Sequence, residues 1–260
     1  MGGYLASVWR CRYFWISLVK MDLRNRYRRS VLGVGWSLLH PLSMTAIMCT
    51  VFQRILHAPM PDYVVKVLAG LACWNFIQFT TIQGCQCLFH GEVYIRQYPA
   101  PAAIYPLRVA LGALFHFSLA LAVVVAVTWY FKGFGNWTAL PSLIPAVFLL
   151  FVLGWALAVL AGFANVYFKD TQHLCEVGFQ IFFYATPIIY DPSDLGGGRL
   201  SLIVQWNPLV PVLKLFRDPI LEGRLPDMTT LGAAASVVTL LAACAVVPLW
   251  RLQKTFIFRM

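Results

Sequence analysis

Hydrophobic and polar positions along this chain fall into blocks: long uncharged runs are separated by short clusters of Arg, Lys, Asp and Pro. About twenty apolar residues wound as a helix cover roughly 30 Å, the hydrocarbon thickness of a bilayer. Runs of that kind predict six spans, at 31–51, 67–89, 107–130, 140–165, 171–190 and 229–250. The connections differ in kind. A proline-containing turn at 57–62 joins the first two spans, and Lys132, Gly133 and Gly135 mark a tight turn after the third. Segment 91–106 carries Glu92, Arg96, Tyr98, Pro99, Pro101 and Pro106, which predicts a structured loop rather than a hairpin. The apolar run 200–213 is broken by Asn207, Pro208 and Pro211 and is too short to cross. It predicts a re-entrant hairpin or interfacial outer helices between spans five and six. Ahead of the first span, Trp9, Tyr13, Phe14, Trp15 and Leu18 are interspersed with Arg10 and Arg12. Such a segment is too polar to span yet suits the headgroup layer, so it predicts an N-terminal amphipathic interfacial helix. No small-residue cleavage site follows it, which argues against a signal peptide.

Composition sharpens this picture. Apolar residues make up 60% of the 260 positions and charged residues 12%, and the mean hydropathy is +0.72. That is more apolar surface than one soluble core uses. The expected fold class is an all-α membrane protein: one domain over 1–260, with a surface segment 1–30, a six-span core 31–250 and a tail 251–260. The net charge of +10 sits mostly beside apolar runs. Arg10, Arg12, Lys20, the cluster Arg24, Arg26, Arg28 and Arg29, and the tail cations Arg251, Lys254 and Arg259 place both termini on the cytoplasmic side, where Lys and Arg are enriched. A nucleic-acid partner would need a clustered basic face with stacking aromatics on a soluble module, and this pattern is not one. The seven cysteines fall mostly inside predicted spans, with neither a disulfide framework nor zinc-ligand spacing. No GxxxxGK[ST] loop occurs, so any ATP must be hydrolysed by another subunit.

Five stretches then carry a family resemblance: DLRNRYRRSVLGVGWSLLHPL, LAGLACWNFIQ, IRQYPAPAAIYPLR, FANVYFKDTQHLCEVGFQIFFYATPIIY and WNPLVPVLKLFRDPILEG. Their order resembles the permease subunit of type-2 ABC exporters over almost the whole chain. It is most similar to the branch that exports lipid-linked O-antigen, capsule or teichoic acid. The resemblance implies a multi-pass protein of the bacterial cytoplasmic (inner) membrane that pairs with a second copy of itself and with two nucleotide-binding ATPase subunits. Those partners would hold ATP and Mg, with no cofactor or metal in this chain. They would dock on the surface segment and on Glu92, Tyr94, Arg96, Gln97 and Tyr98, unless that loop is merely solvated.

Two readings stand for the arginine cluster. Arg24, Arg26, Arg28 and Arg29 act as topology determinants alone, or they hold the phosphate that links a glycan to its lipid, because guanidinium forks match phosphate oxygens. A sugar polymer needs a path wet enough for hydroxyls yet lined with flat apolar faces. On span five, His173, Glu176, Gln180, Tyr184 and Pro187 recur at steps of three or four, with Phe179 and Phe183 flanking them. Trp36 and His40 of span one and Trp74, Asn75 and Gln78 of span two add to the set. The alternative is that these groups only bond neighbouring helices or form interfacial belts. Pro187, Trp206, Asn207 and Pro208 resemble an outward gate. A type-2 exporter of a drug or small lipid would share this architecture. A membrane-embedded glycosyl- or phosphotransferase would need clustered acids or a metal site, and Asp22, Glu92, Asp170 and Glu176 are dispersed along the chain.

Overall fold

The computed structural model describes residues 2–28, 30–56, 60–97, 100–133, 137–190 and 204–253. Arg29, Tyr98, Lys254 and Arg259 lie outside them. The described chain is helical: α1 Gly2–Arg10, α2 Arg12–Tyr27, α3 Trp36–Leu56, α4 Met60–Gln86, α5 Glu92–Gln97, α6 Ile104–Lys132, α7 Leu143–Tyr167, α8 Thr171–Ala185, α9 Leu209–Arg217 and α10 Met228–Arg251. Five segments are long and apolar enough to cross a membrane, centred on α3, α4, α6, α7 and α10. The helix in place of the predicted fifth span, α8, has 15 residues, about 22 Å of helix.

Local chemistry sets these boundaries. Helix α4 starts at Met60, earlier than the predicted span, because Pro61 lies in its first turn, where a missing N–H breaks no intrahelical bond. Helix α6 stops at Gly133, whose φ of +69° suits glycine and whose N–H reaches Trp129 O at 2.8 Å. Helix α8 ends at Ala185 rather than bending onward to 190, since Pro187 disfavours helical geometry at Thr186, which is extended at φ −101°, ψ 131°.

Helix α4 is the centre of the bundle. Its spanning window is 72% buried, against 17% for α3 and for α10, so those two lie at the periphery. Helices α4 and α7 meet backbone to backbone. A Cβ at Gly84 would lie 2.5 Å from Ala158 Cα, and one at Gly162 would lie 2.9 Å from Gly84 O. Gly154, Ala158 and Gly162 recur every fourth residue and so line one side of α7, a small-residue seam of the kind that packs membrane helices closely. Asn165 Nδ2 donates to Cys85 O at 2.9 Å across the same seam.

One end of the bundle carries α1 and α2. Arg108 at the start of α6 forks onto both carboxylate oxygens of Asp22, and the Ala103 N–H donates to the Tyr4 hydroxyl at 3.3 Å. At the far end, Lys132 Nζ meets Asp62 Oδ1 at 2.5 Å and donates to Leu221 O at 2.8 Å. Between these ends, residues 186–190 after α8 are irregular, and 186–189 are buried, which a membrane protein tolerates only where the backbone is satisfied by protein. Arg217 supplies Nη1 to Pro187 O at 2.6 Å and Nη2 to Ile188 O at 3.0 Å. Asn207 Nδ2 donates to Ala185 O at 3.2 Å and to Thr186 Oγ1 at 2.9 Å. Helix α9 continues into a π-helical turn, Asp218–Glu222, closed by Gly223 at φ +63°.

Candidate translocation cleft

A cleft of about 360 Å³ lies between α3, α4 and α6, with Arg26 of α2 at its edge. Trp36, Ser37 and His40 line it from α3, Asn75, Gln78, Phe79 and Gln83 from α4, and His116 from α6. The α4 residues recur at steps of three and four, which puts them on one face of that helix. A smaller compartment of about 200 Å³ adjoins it, lined by Asp22, His90, Tyr105 and Arg108. Arg26, Phe79, Gln83 and His116 line both.

The mouth is built from the elbow between α2 and α3. Ser30 Oγ accepts the Gly33 N–H at 3.0 Å, and Gly33 takes a φ of +49°, a left-handed turn that glycine adopts without strain. This brings Tyr27 back to the start of α3. The Tyr27 hydroxyl, the Ser37 hydroxyl and His116 Nδ1 form a hydrogen-bonded triangle with sides of 2.5, 3.0 and 3.1 Å. One residue earlier, the Arg26 guanidinium lies over the Phe79 ring, 4.9 Å from its centroid, a cation–π contact that holds the charge at the junction of the two compartments. Asp22 engages Arg108, whereas Arg26 has no carboxylate partner among the described residues.

The predicted path residues divide into two groups. Trp36, His40 and Gln78 come together in the cleft, where Arg26 of the predicted phosphate cluster joins them. Trp74 is 3% exposed and packs instead on α8, with ring centroids 5.4, 6.4 and 5.5 Å from Phe179, Phe182 and Phe183. The opposite side of α8 is open, with Tyr184 73% exposed and Gln180 exposed. Glu176 accepts from Gln172 Nε2 at 2.9 Å and lies 3.4 Å from His173 Nδ1.

The remaining candidates are placed as follows. Arg24 and Arg28 are exposed on α2 and at its end. On α5, Arg96 pairs with Glu92 at 2.8 Å, Gln97 is exposed, and Tyr94 meets Phe14 of α2 edge to face at 5.7 Å. Pro187 and Asn207 are buried at the α8 break, while Trp206 and Pro208 are exposed. No group of ligating side chains suited to a metal occurs among the described residues.

Sequence reasoning missed Tyr27, Gln83, Arg108 and His116. His116 had a signal: an ionisable side chain inside a span marks a functional position by default.

A bundle with five helices long and apolar enough to cross a membrane defines a multi-pass membrane protein. The chain belongs to the ABC-2 type transporter family, which it matches over residues 13–221. Members are transporter permeases rather than enzymes and work with a nucleotide-binding subunit. It is 27% identical over 253 residues to the O-antigen export system permease protein RfbA of Myxococcus xanthus, covering 96% of this chain and 94% of that one. It is 25% identical over 212 residues to the RfbA permease of Klebsiella pneumoniae, covering 81% of each. The polysialic acid transport protein KpsM of Escherichia coli is 21% identical over 234 residues, covering 88% of this chain and 90% of KpsM.

Proposed function

We propose that this chain is the membrane subunit of an ATP-driven exporter that moves a lipid-linked polysaccharide across the bacterial cytoplasmic membrane. One observation carries the reading: a chain similar along 96% of its length to an O-antigen export permease holds a polar, aromatic-lined cleft whose mouth presents Arg26. Arg26, with Arg24, Arg28 and Arg29 nearby in sequence, supplies guanidinium forks for the phosphate between glycan and lipid.

The chain crosses six times in this reading. Helix α8 contributes about 22 Å, and segment 186–190, bent by the Ile188 N–H to Thr186 O hydrogen bond, continues the chain beyond it to complete the sixth crossing. An even number of crossings puts both termini on one side, and the basic residues at both ends make that side cytoplasmic. Two copies pair through the faces that α3 and α8 leave uncovered. Leu39, Ile47 and Val51 on α3 and Leu174, Val177 and Ile181 on α8 are all exposed. Two ATPase subunits dock on α1, α2 and α5. Their ATP-driven closure shifts α2 and α5 and opens a path between the two copies of α3 and α8, with the segment around Pro187, Trp206, Asn207 and Pro208 as the outer gate.

Deletion of the gene in its host tests the reading. Surface polysaccharide is expected to disappear while its lipid-linked form accumulates in the cytoplasmic leaflet, with both restored by the gene in trans. A deletion strain with normal surface polysaccharide would refute it.

A further inference from the structure

Polar side chains within a membrane bundle are expected to find partners, because lipid offers none. Many in this bundle do, although among the described residues the buried Thr45, Tyr63 and Tyr105 hydroxyls have no partner. The Thr80 and Thr81 hydroxyls return to helix carbonyls at 2.9 and 2.8 Å, Asn165 bonds across the α4–α7 seam, and His116 is held in its triangle. Asn75, Gln78 and Gln83 differ: none of their side chains hydrogen-bonds within the chain among the described residues. All three project from one face of α4 into the same cleft.

Each amide offers two donors and an acceptor with two lone pairs, the complement of sugar hydroxyl and N-acetyl groups. The amides are spaced over eight residues of helix, about 12 Å. Aromatic walls from Trp36, Phe76 and Phe79 suit the C–H face of a pyranose ring. The volume of about 360 Å³ is at the small end for ligand pockets, roughly 300–1,000 Å³. It therefore takes a short terminal stretch and not a polymer coil. Arg26 stands where this compartment meets the smaller charged one, so a phosphate held there directs whatever is bonded to it toward the amides.

We propose that the cleft between α3, α4 and α6 is a sugar-reading subsite, one in each copy, in which Asn75, Gln78 and Gln83 recognise the sugar joined directly to the lipid phosphate. The inference rests on the function proposed above and adds to it a determinant of specificity. Selection then occurs at the lipid-proximal sugar, before the chain enters the path between copies. Polymers that share that first sugar are accepted whatever their repeat unit.

Binding to the assembled permease–ATPase complex in nanodiscs tests this. The probes are farnesyl diphosphate and four single-sugar diphosphate farnesols carrying glucose, galactose, N-acetylglucosamine or N-acetylgalactosamine. At least one sugar probe is expected to bind about tenfold more tightly than farnesyl diphosphate, the scale of one or two net hydrogen bonds. Gln83→Leu, at an exposed position, reduces that preference several-fold. The triple variant Asn75→Leu, Gln78→Leu, Gln83→Leu abolishes it while still binding farnesyl diphosphate within twofold, which also reports that it is folded. Arg26→Gln weakens all five probes together. A parent that prefers no sugar probe, or a folded triple variant that keeps the preference, overturns the subsite. Unchanged farnesyl diphosphate binding in Arg26→Gln overturns the phosphate reading instead, leaving the sugar result to stand or fall separately.

Discussion

Nη2 of Arg217 occupies the place where a side chain at Gly70 would begin: a Cβ on Gly70 would lie 2.7 Å from it. Glycine on α4 thus leaves room for the guanidinium that closes the break after α8. Gly70→Ala is expected to displace Arg217 from Pro187 O and Ile188 O and to cost about 1–3 kcal/mol. Arg217→Met should have a similar effect, and the double variant should cost little more than the worse single one, because both remove the same contacts. Thermal unfolding of the purified complex measures this. Costs that simply add would show that the two residues act independently.

The seam between α4 and α7 makes a sharper demand. At Gly84 the obstacle is the Ala158 backbone, which cannot rotate away as a long side chain can. Gly84→Val is expected to remove most folded protein from the membrane. Gly112→Ala on α6 meets nothing within 4 Å and should be neutral or stabilising by up to about 1 kcal/mol. Quantitative immunoblots of membrane fractions compare the two. Equal accumulation would contradict the close contact at Gly84.

The Tyr27–Ser37–His116 triangle joins α2, α3 and α6 at the mouth of the cleft. Tyr27→Phe and His116→Leu are each expected to cost about 1 kcal/mol of local stability and to lower export several-fold while protein levels hold. His116→Gln keeps a hydrogen-bonding group in reach and should recover part of the loss. Export assayed by surface polysaccharide staining separates these outcomes. If His116→Gln behaves like His116→Leu, the hydrogen bond is not what matters there.

Reversing the charges at Glu92 and Arg96 tests docking of the ATPase. Their ion pair is internal to α5 and partly exposed, so it contributes only about 0.5 kcal/mol. Glu92→Arg with Arg96→Glu therefore retains the pair and inverts the charge pattern of the surface. Co-purification with the ATPase is expected to fall at least fivefold. Undiminished recovery would rule α5 out as an electrostatic contact.

The spans were largely legible in the sequence because lipid imposes one requirement, an uninterrupted apolar length. The predicted segment 229–250 nearly coincides with Met228–Arg251, and 107–130 lies within Ile104–Lys132. The end of α8 was not legible. Pro187 signals a lost hydrogen bond, but whether a helix bends or stops there depends on donors elsewhere. Those donors, Asn207 and Arg217, lie 20 to 30 residues further along. The cleft was half legible for a related reason. Helical spacing tells which residues share a face, as with Asn75 and Gln78, but not which neighbour covers that face. Trp74, one residue before Asn75, accordingly turned out to pack beneath α8.

Where Gly84 and Ala158 bring two backbones together, no side chain lies between them to be rearranged. Helices α4 and α7 therefore shift only as one solid piece, a keel running through the subunit. In the transport cycle proposed above, a stroke delivered by the nucleotide-binding partners would cross the membrane along that keel without being absorbed, leaving the slack for passage to the helices at its margins.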